Sequence, residues 1–436
     1  MTQLLGLAVF ALLAISALLS APAAFALVLL MYPLEQLLQA GGGVFLSTSW
    51  LTNLLIAAIA GIAVVRLVMV TDRPLVGYLN FQLSGAIALH AWSLVTLLWT
   101  PSNESARQFI QGGYAYFVLL IVVSPMLATD VRSLGRINRS ALIAGTLLAG
   151  AMISSPEFRS WSGRLVTDLG SSGRSNPLVL GELGGTLVIC SVLFRATGMS
   201  LLVKICRIAA FPLGAILVLQ SGSRGQLIFA LLIATIFYPI ARKLTNIRSF
   251  VGGVAALGTA TVVFVFLAPI FVTGYGLSRW DVGSVEGSAL GRVGNVGDLL
   301  TTFRGNPVAW IFGLGYNAFS SVSTNSLDGY AHNLSAEVLA ELGLPMFAIY
   351  VAMIWVSTRD GVAMMRESRE DPESRASIGL FLALIAYQFL LDQKQGTLWY
   401  DSTLFMLVVV LARIRSREVH GLGTGEGLVT GETNTQ

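Results

Sequence analysis

The sequence predicts an all-α fold: a polytopic bundle of about 12–13 transmembrane helices with one long loop outside the membrane. Three observations lead there. Only 11% of the 436 residues are charged, against about 25% in soluble domains. The mean hydropathy is +0.75. Apolar segments approaching the ~20 residues that cross a bilayer recur along the chain. No strand-like alternation is sustained, so helices rather than a barrel satisfy the backbone in lipid.

In chain order these segments fall at about 3–10, 24–40, 53–70, 81–99, 113–128, 140–154, 178–194, 208–221, 225–240, 250–273, 333–357, 376–391 and 398–412. Residues 1–26 resemble a signal peptide, with Ala21-Pro22-Ala23 and Ala24-Phe25-Ala26 near a possible cut. They lack a basic n-region, which favours an uncleaved membrane segment. Two helices within 1–40 place the N-terminus outside, and one places it inside. The first basic residue is Arg66, so charge does not decide.

Charge does orient the rest. Arg132, Arg136 and Arg139 share one connection, and Arg242, Lys243 and Arg248 another. Arg359, Arg366, Arg369 and Arg375 occupy a third, and Arg413, Arg415 and Arg417 follow the last helix. With alternating helices all four lie on one side, which the positive-inside rule makes cytoplasmic. The connections around 41–52, 100–112, 155–177, 222–224, 274–331 and 392–397 then face outward. Residues 1–417 form one membrane domain. The Gly-, Thr- and Glu-rich tail, 418–436, is expected to be disordered and cytoplasmic.

Cys190 and Cys206 both fall in or near apolar helices, which argues against a disulfide framework or a zinc site. A pI near 9.2 reflects membrane-facing arginines rather than nucleic-acid binding. Lys204, Lys243 and Lys394 are the only lysines. There is no phosphate-binding Gly-rich loop ending in Lys-Ser/Thr, no HExxH and no GxSxG, so ATP hydrolysis, zinc proteolysis and serine hydrolysis lose support.

The long segment 274–331 holds Arg279, Asp281, Glu286, Arg292, Asp298, Arg304 and Asp328. A structureless loop of that length is uncommon unless functional; the competing reading is a plain solvated loop. Residues 299–303 and 309–312 suggest short helices. Phe303, Trp310 and Phe312 suit the membrane interface. Gly313-Leu314-Gly315-Tyr316-Asn317 reads as a turn that lets backbone approach a ligand closely.

Arg224 lies in Ser221-Gly222-Ser223-Arg224-Gly225, wedged between two apolar helices. A helix N-terminus favours anions, and a guanidinium grips phosphate with two bonds. Snorkelling to lipid headgroups is the alternative. Beside it, Asn176 and Pro177 suit a helix start. Arg174 and the intramembrane Glu182 either line a site or pair structurally. His332-Asn333 opens an apolar helix carrying Glu337 and Glu341, four apart and on one face. Glu337 also complements the helix dipole. For His332 the helix N-terminus disfavours imidazolium, leaving a neutral general base, against the alternative of a structural loop histidine. His90, among Leu89, Ala91 and Trp92, reads as a packed, hydrogen-bonded side chain.

Taken together these residues resemble the O-antigen ligase / O-antigen polymerase family of bacterial surface-polysaccharide enzymes. The likeness spans most of the chain: the multi-helix plan, Ser223-Arg224-Gly225 and the long outward segment. Within that segment stand Gly291-Arg292, Arg304-Gly305-Asn306-Pro307, Gly313-Leu314-Gly315-Tyr316-Asn317-Ala318-Phe319, His332-Asn333 and Glu341-Leu342-Gly343-Leu344-Pro345. His332 and Gly343 match a histidine–ten residues–glycine pattern. Met346 departs from it, standing where the family often has a glycine.

The resemblance implies an inner-membrane, multi-pass glycosyltransferase with its site facing the periplasm, inverting, and needing neither metal nor cofactor. The donor is a glycan on undecaprenyl diphosphate. Arg224 and Arg292 clamp the diphosphate, and His332 activates the acceptor hydroxyl on lipid A-core. Arg174, Glu337 and Glu341 are further substrate-binding candidates. The same-family rival is a polymerase that extends a growing glycan in O-antigen or exopolysaccharide. A polysaccharide or lipid transporter or flippase is the rival from another class; it predicts ionisable pairs and broken helices at mid-membrane. Besides donor and acceptor, membrane lipids are the expected partners.

Overall fold

A computed structural model describes residues 2–48, 50–71, 73–161, 164–169, 174–242, 247–271, 282–323 and 329–421. The expected disorder of the tail concerns mostly 422–436, outside the described residues, as do Arg279, Asp281 and Asp328. What is described is almost entirely helical and organised as a polytopic bundle. In order run α1 Thr2–Leu19, α2 Ala21–Leu29, α3 Met31–Ala40, α4 Trp50–Val70, α5 Phe81–Val95, α6 Asn103–Tyr116 and α7 Val131–Ser154. A hairpin of β1 Arg159–Trp161 and β2 Arg164–Val166 follows. Then come α8 Pro177–Leu193, α9 Leu201–Ser221, α10 Arg224–Arg242, α11 Ile247–Phe271 and α12 Val282–Arg304. Last are α13 Leu334–Leu342, α14 Leu344–Glu367, α15 Pro372–Gln395 and α16 Ser402–Val419.

Local chemistry fixes the helix starts. Asp130 and Ser133 form a reciprocal capping box on α7. Asn176 accepts from the Leu178 amide at 3.0 Å, with Pro177 opening α8, as the sequence predicts. Asp371 caps α15 ahead of Pro372. Packing uses small residues where backbones cross. A Cβ on Gly184 of α8 would sit 2.4 Å from the Gly214 oxygen of α9. His90 is buried, its Nδ1 2.8 Å from the Ala86 oxygen, with Phe117 and Trp399 against its ring. Cys190 and Cys206 are buried free thiols.

The arginine-rich connections gather at one end of the bundle. Arg413 donates to the Pro74 oxygen at 2.8 Å, and Arg417 to those of Thr129 and Arg73 at 3.0 and 3.1 Å. Arg415 pairs with Glu367, and Arg375 donates to the Ile240 oxygen. The other connections meet at the opposite end: Thr100 donates to the Tyr316 oxygen, and Asn317 to Ser105. Thr2 is bonded to Glu157 and Ser155 at that same end. Arg66 donates to the Leu19 oxygen at the far end of α1. The N-terminal stretch therefore crosses twice, through α1 and then through α2–α3, a pair bent by 66°. That resolves the parity left open by charge: the N-terminus shares the end opposite the arginines.

Two expectations change and one is met in part. Among the described residues eight helices are long and apolar enough to cross a membrane, nine with the bent pair. The further stretches of the sequence count miss those limits on length or charge. α8 has 17 residues, and α14 and α16 carry several charged side chains. The single segment 333–357 is two helices, broken at Gly343, whose φ is +88°. The long connection is not structureless. α12 runs through its middle, and Leu299, Phe303, Ala309, Phe319, Ala331 and Ala340 form a small second core. Phe303 is thereby packed inside rather than at the interface, whereas Trp310 and Phe312 are exposed.

Candidate functional site

The site begins at the last turn of α15. Three consecutive residues there, Gln393, Lys394 and Gln395, tie α15 to the start of α13 and to α10. The Gln393 oxygen accepts from Asn333 Nδ2 at 3.0 Å. Lys394 donates to Gln226 Oε1 at 2.6 Å, and Gln226 Nε2 donates to Gln395 Oε1 at 2.8 Å. Gln226 is fully buried in the first turn of α10. Gly225 makes this close approach possible, since a Cβ there would lie 2.5 Å from Lys394 Cδ.

Arg224 is thereby set beside Lys394, one residue earlier than the helix start read from sequence. The Lys394 ammonium lies within electrostatic reach of the guanidinium groups of Arg292, Arg164 and Arg224. Four cations from α10, α12, α15 and β2 thus share one neighbourhood. Arg224 and Arg292 were legible from sequence; Lys394 and Arg164 were missed. The signal for Lys394 was available: it is one of three lysines, and it falls in a connection expected to face outward.

His332 stands just before Asn333, the N-cap of α13, whose Oδ1 accepts from the Ala336 amide at 2.8 Å. The same Asn333 side chain ties His332 to the residue preceding Lys394. The His332 backbone is left-handed, φ +57°, a conformation that is uncommon for a residue other than glycine. Its ring lies 4.1 Å from that of Tyr330. Arg224, Arg292 and His332 are therefore all brought to the end of α15.

Glu337 and Glu341 do something else. Glu337 Oε1 accepts from Thr397 Oγ1 and from the Leu398 amide, both at 2.9 Å. Glu341 accepts from the amides of Asn317 and Phe319 at 2.6 and 3.0 Å. Both are buried, and both bracket loops of their own chain. Burial pushes both carboxyls up: Glu337 to about 7, against the opposing bonds from Leu398 and Thr397, and Glu341 well above the usual range. The glycines of the 313–317 turn serve the same packing. A Cβ on Gly313 would lie 2.0 Å from the Glu341 oxygen, and one on Gly315 2.5 Å from Thr100 Cα. The close approach expected toward a ligand is made to the protein itself.

This bracket gives a first prediction. Glu337→Gln keeps an acceptor oxygen for Thr397 and Leu398 and should preserve both fold and activity. Glu337→Ala leaves a buried amide and hydroxyl unsatisfied, at a cost of about 1–3 kcal/mol. Thermal melts of the two detergent-solubilised variants check this; equal melting would show that the bracket contributes nothing.

A cavity of about 500 Å³ opens beside the cations. Tyr32, Phe109, Tyr116, Tyr330 and Tyr400 give it aromatic walls. Glu35, Gln36, Gln39, Glu182, Gln388 and Asp401 supply polar groups. Gln395 lines it too, joining it to the cationic side. Arg174 also lines it, stacked 3.6 Å over Trp161. Arg174 and Glu182 thus belong to the cavity rather than to the cation group. Flat rings with amides and carboxyls around them suit a hydroxyl-rich ligand. Among the described residues no three His, Cys, Asp or Glu side chains gather so as to hold a metal ion. The chain matches no family model and no curated protein.

Proposed function

We propose that the protein is a glycosyltransferase of the bacterial inner membrane, acting at its periplasmic face. It moves glycan from undecaprenyl diphosphate to a lipid A-core hydroxyl. The observation carrying this reading is the convergence of Arg224, Arg292 and His332 on the end of α15, beside Lys394 and an aromatic, amide-lined cavity.

The chemistry follows from the charges. Cations held together repel one another, and a lipid diphosphate relieves that repulsion. The acceptor hydroxyl gives its proton to the His332 imidazole, and its oxygen attacks the anomeric carbon. The bond from that carbon to the diphosphate oxygen breaks, and the departing anion is met by the guanidinium and ammonium groups. Direct displacement inverts the anomeric centre. Held in place on α10, α12, α15 and β2, these groups need no rearrangement as charge develops.

A polymerase would use the same site with a growing glycan as acceptor. Surface glycan from a deletion strain separates the two: a ligase mutant accumulates long lipid-linked chains, a polymerase mutant single repeat units. A transporter calls for ionisable groups and breaks at mid-membrane. Here Asp392 lies in the last turn of α15, and Glu35 and Glu182 lie in the second turn from the cavity end of α3 and α8.

The finer topology, with 12–13 crossings and the site outside, is checked by impermeant thiol labelling of single cysteine substitutions. Positions 224, 292 and 332 should label from outside, and 136, 248 and 369 should not. Labelling at 248 with none at 292 reverses the orientation and removes the periplasmic site.

A further inference from the structure

A second cavity, of about 520 Å³, shares no lining residue with the first. It is a trough floored by α15 and walled by α10 and α14. Phe237, Ile354, Leu382, Ile385 and Phe389 make it almost wholly apolar. At one end it meets three arginines: Arg366, Arg369 and Arg375. Arg375 is fixed at that rim by a bond from its Nε to the Ile240 oxygen, 3.1 Å. Two of the nearby acids are engaged elsewhere. Glu367 is taken by Arg415 at 2.9 Å, and Asp371 caps α15 and bonds Ser374.

We propose that this trough is a binding site for an anionic phospholipid of the arginine-side leaflet, its acyl chain in the trough and its phosphate at Arg366, Arg369 and Arg375. The inference is independent of the glycosyl-transfer reading. Two features carry it. The first is shape and depth. From Arg375 to Phe389 the trough follows about 21 Å of helix at 1.5 Å per residue. One leaflet offers about 15 Å of hydrocarbon, so an acyl chain entering at the arginines fits along it. The second is charge complementarity. Arg366 and Arg369 are exposed and Arg375 half-buried, so guanidinium groups stand where an apolar wall gives way to water. Basic pockets between membrane helices on the cytoplasmic side hold anionic headgroups. By the positive-inside rule this is that side. A zwitterionic lipid would fill the same trough but would set its own cationic group against three others.

The test is native mass spectrometry of the purified full chain with equimolar dioleoyl-phosphatidylglycerol and dioleoyl-phosphatidylcholine. One phosphatidylglycerol should be retained, several-fold over the zwitterionic lipid. R366Q/R369Q leaves the Arg375 bond in place and should bring the two lipids to parity. A386W fills the trough and should lose the retained lipid with all three arginines present. Excess inorganic phosphate should not displace it. Equal retention by the unmodified chain, or an unchanged preference in R366Q/R369Q, overturns the site. So does displacement by inorganic phosphate, which would reduce it to an anion patch. Displacement by an isoprenyl diphosphate, with the arginines without effect, would assign the trough to that lipid instead.

Discussion

Substituting His332 by Ala, Asn or Gly is expected to slow glycan transfer by about 10²–10⁴-fold, the usual contribution of a general base. Asn and Gly are the informative replacements. Position 332 has a φ of +57°, and those two residues enter that region most readily. They remove the imidazole while keeping the turn that starts α13. Donor affinity should change little, because the base meets the acceptor hydroxyl rather than the diphosphate. The rate of the unsubstituted enzyme should fall as pH is lowered through the imidazole range, since only the neutral ring accepts a proton. Purified enzyme with a lipid-linked donor, assayed across pH with and without chelator, measures this. Full activity of the Gly variant, or strict dependence on a divalent metal, would remove His332 as the base.

Arg224→Ala and Arg292→Ala are each expected to lose most transfer, on the order of 10²-fold or more for a lost transition-state donor. Here donor binding should weaken as well, which separates these variants from those at His332. Arg224→Lys keeps the charge but loses the planar two-bond fork, so it should stay impaired. Lys394→Met should weaken donor binding if the ammonium contributes to the same anion site, although it also cuts the bond to Gln226. Near-normal transfer by either alanine variant takes that arginine out of the mechanism.

The helices were largely legible because membrane spanning is a local property. An apolar run of the right length forms a helix whatever its neighbours do. Pro177, Asn176 and Gly222 marked helix ends by their own conformational limits. The break at Gly343 was less visible, since Leu342 and Leu344 continue the apolar run and only the packing of Gly343 on Ile311 and Gly313 requires it. α12 was read as loop apart from a short helix at 299–303; it holds five glycines, each costing about 1 kcal/mol relative to alanine in a helix. Leu299 and Phe303 give it a core to pack on, and tertiary contact outweighed propensity. At the site, Arg224 and His332 stood out beside apolar helices, and Arg292 was singled out by the resemblance. The tasks of Glu337 and Glu341 depend on amides at 317, 319 and 398, pairings that no local pattern encodes.

α13 is nine residues long and spans nothing, yet it is bonded to Gln393, Thr397 and Leu398. Those partners are made after it during synthesis, and chains emerge N-terminus first. Until the hairpin of α15 and α16 has entered the membrane, Glu337 has no amide to accept from and Asn333 no carbonyl to meet. The start of α13 that follows the histidine gains its Gln393 and Thr397 ties only from segments translated later. A ribosome-stalled or C-terminally clipped chain would therefore insert most of its helices and still be inert. On the transfer reading proposed above, a chain without that hairpin lacks the Gln393, Lys394 and Thr397 side of the site.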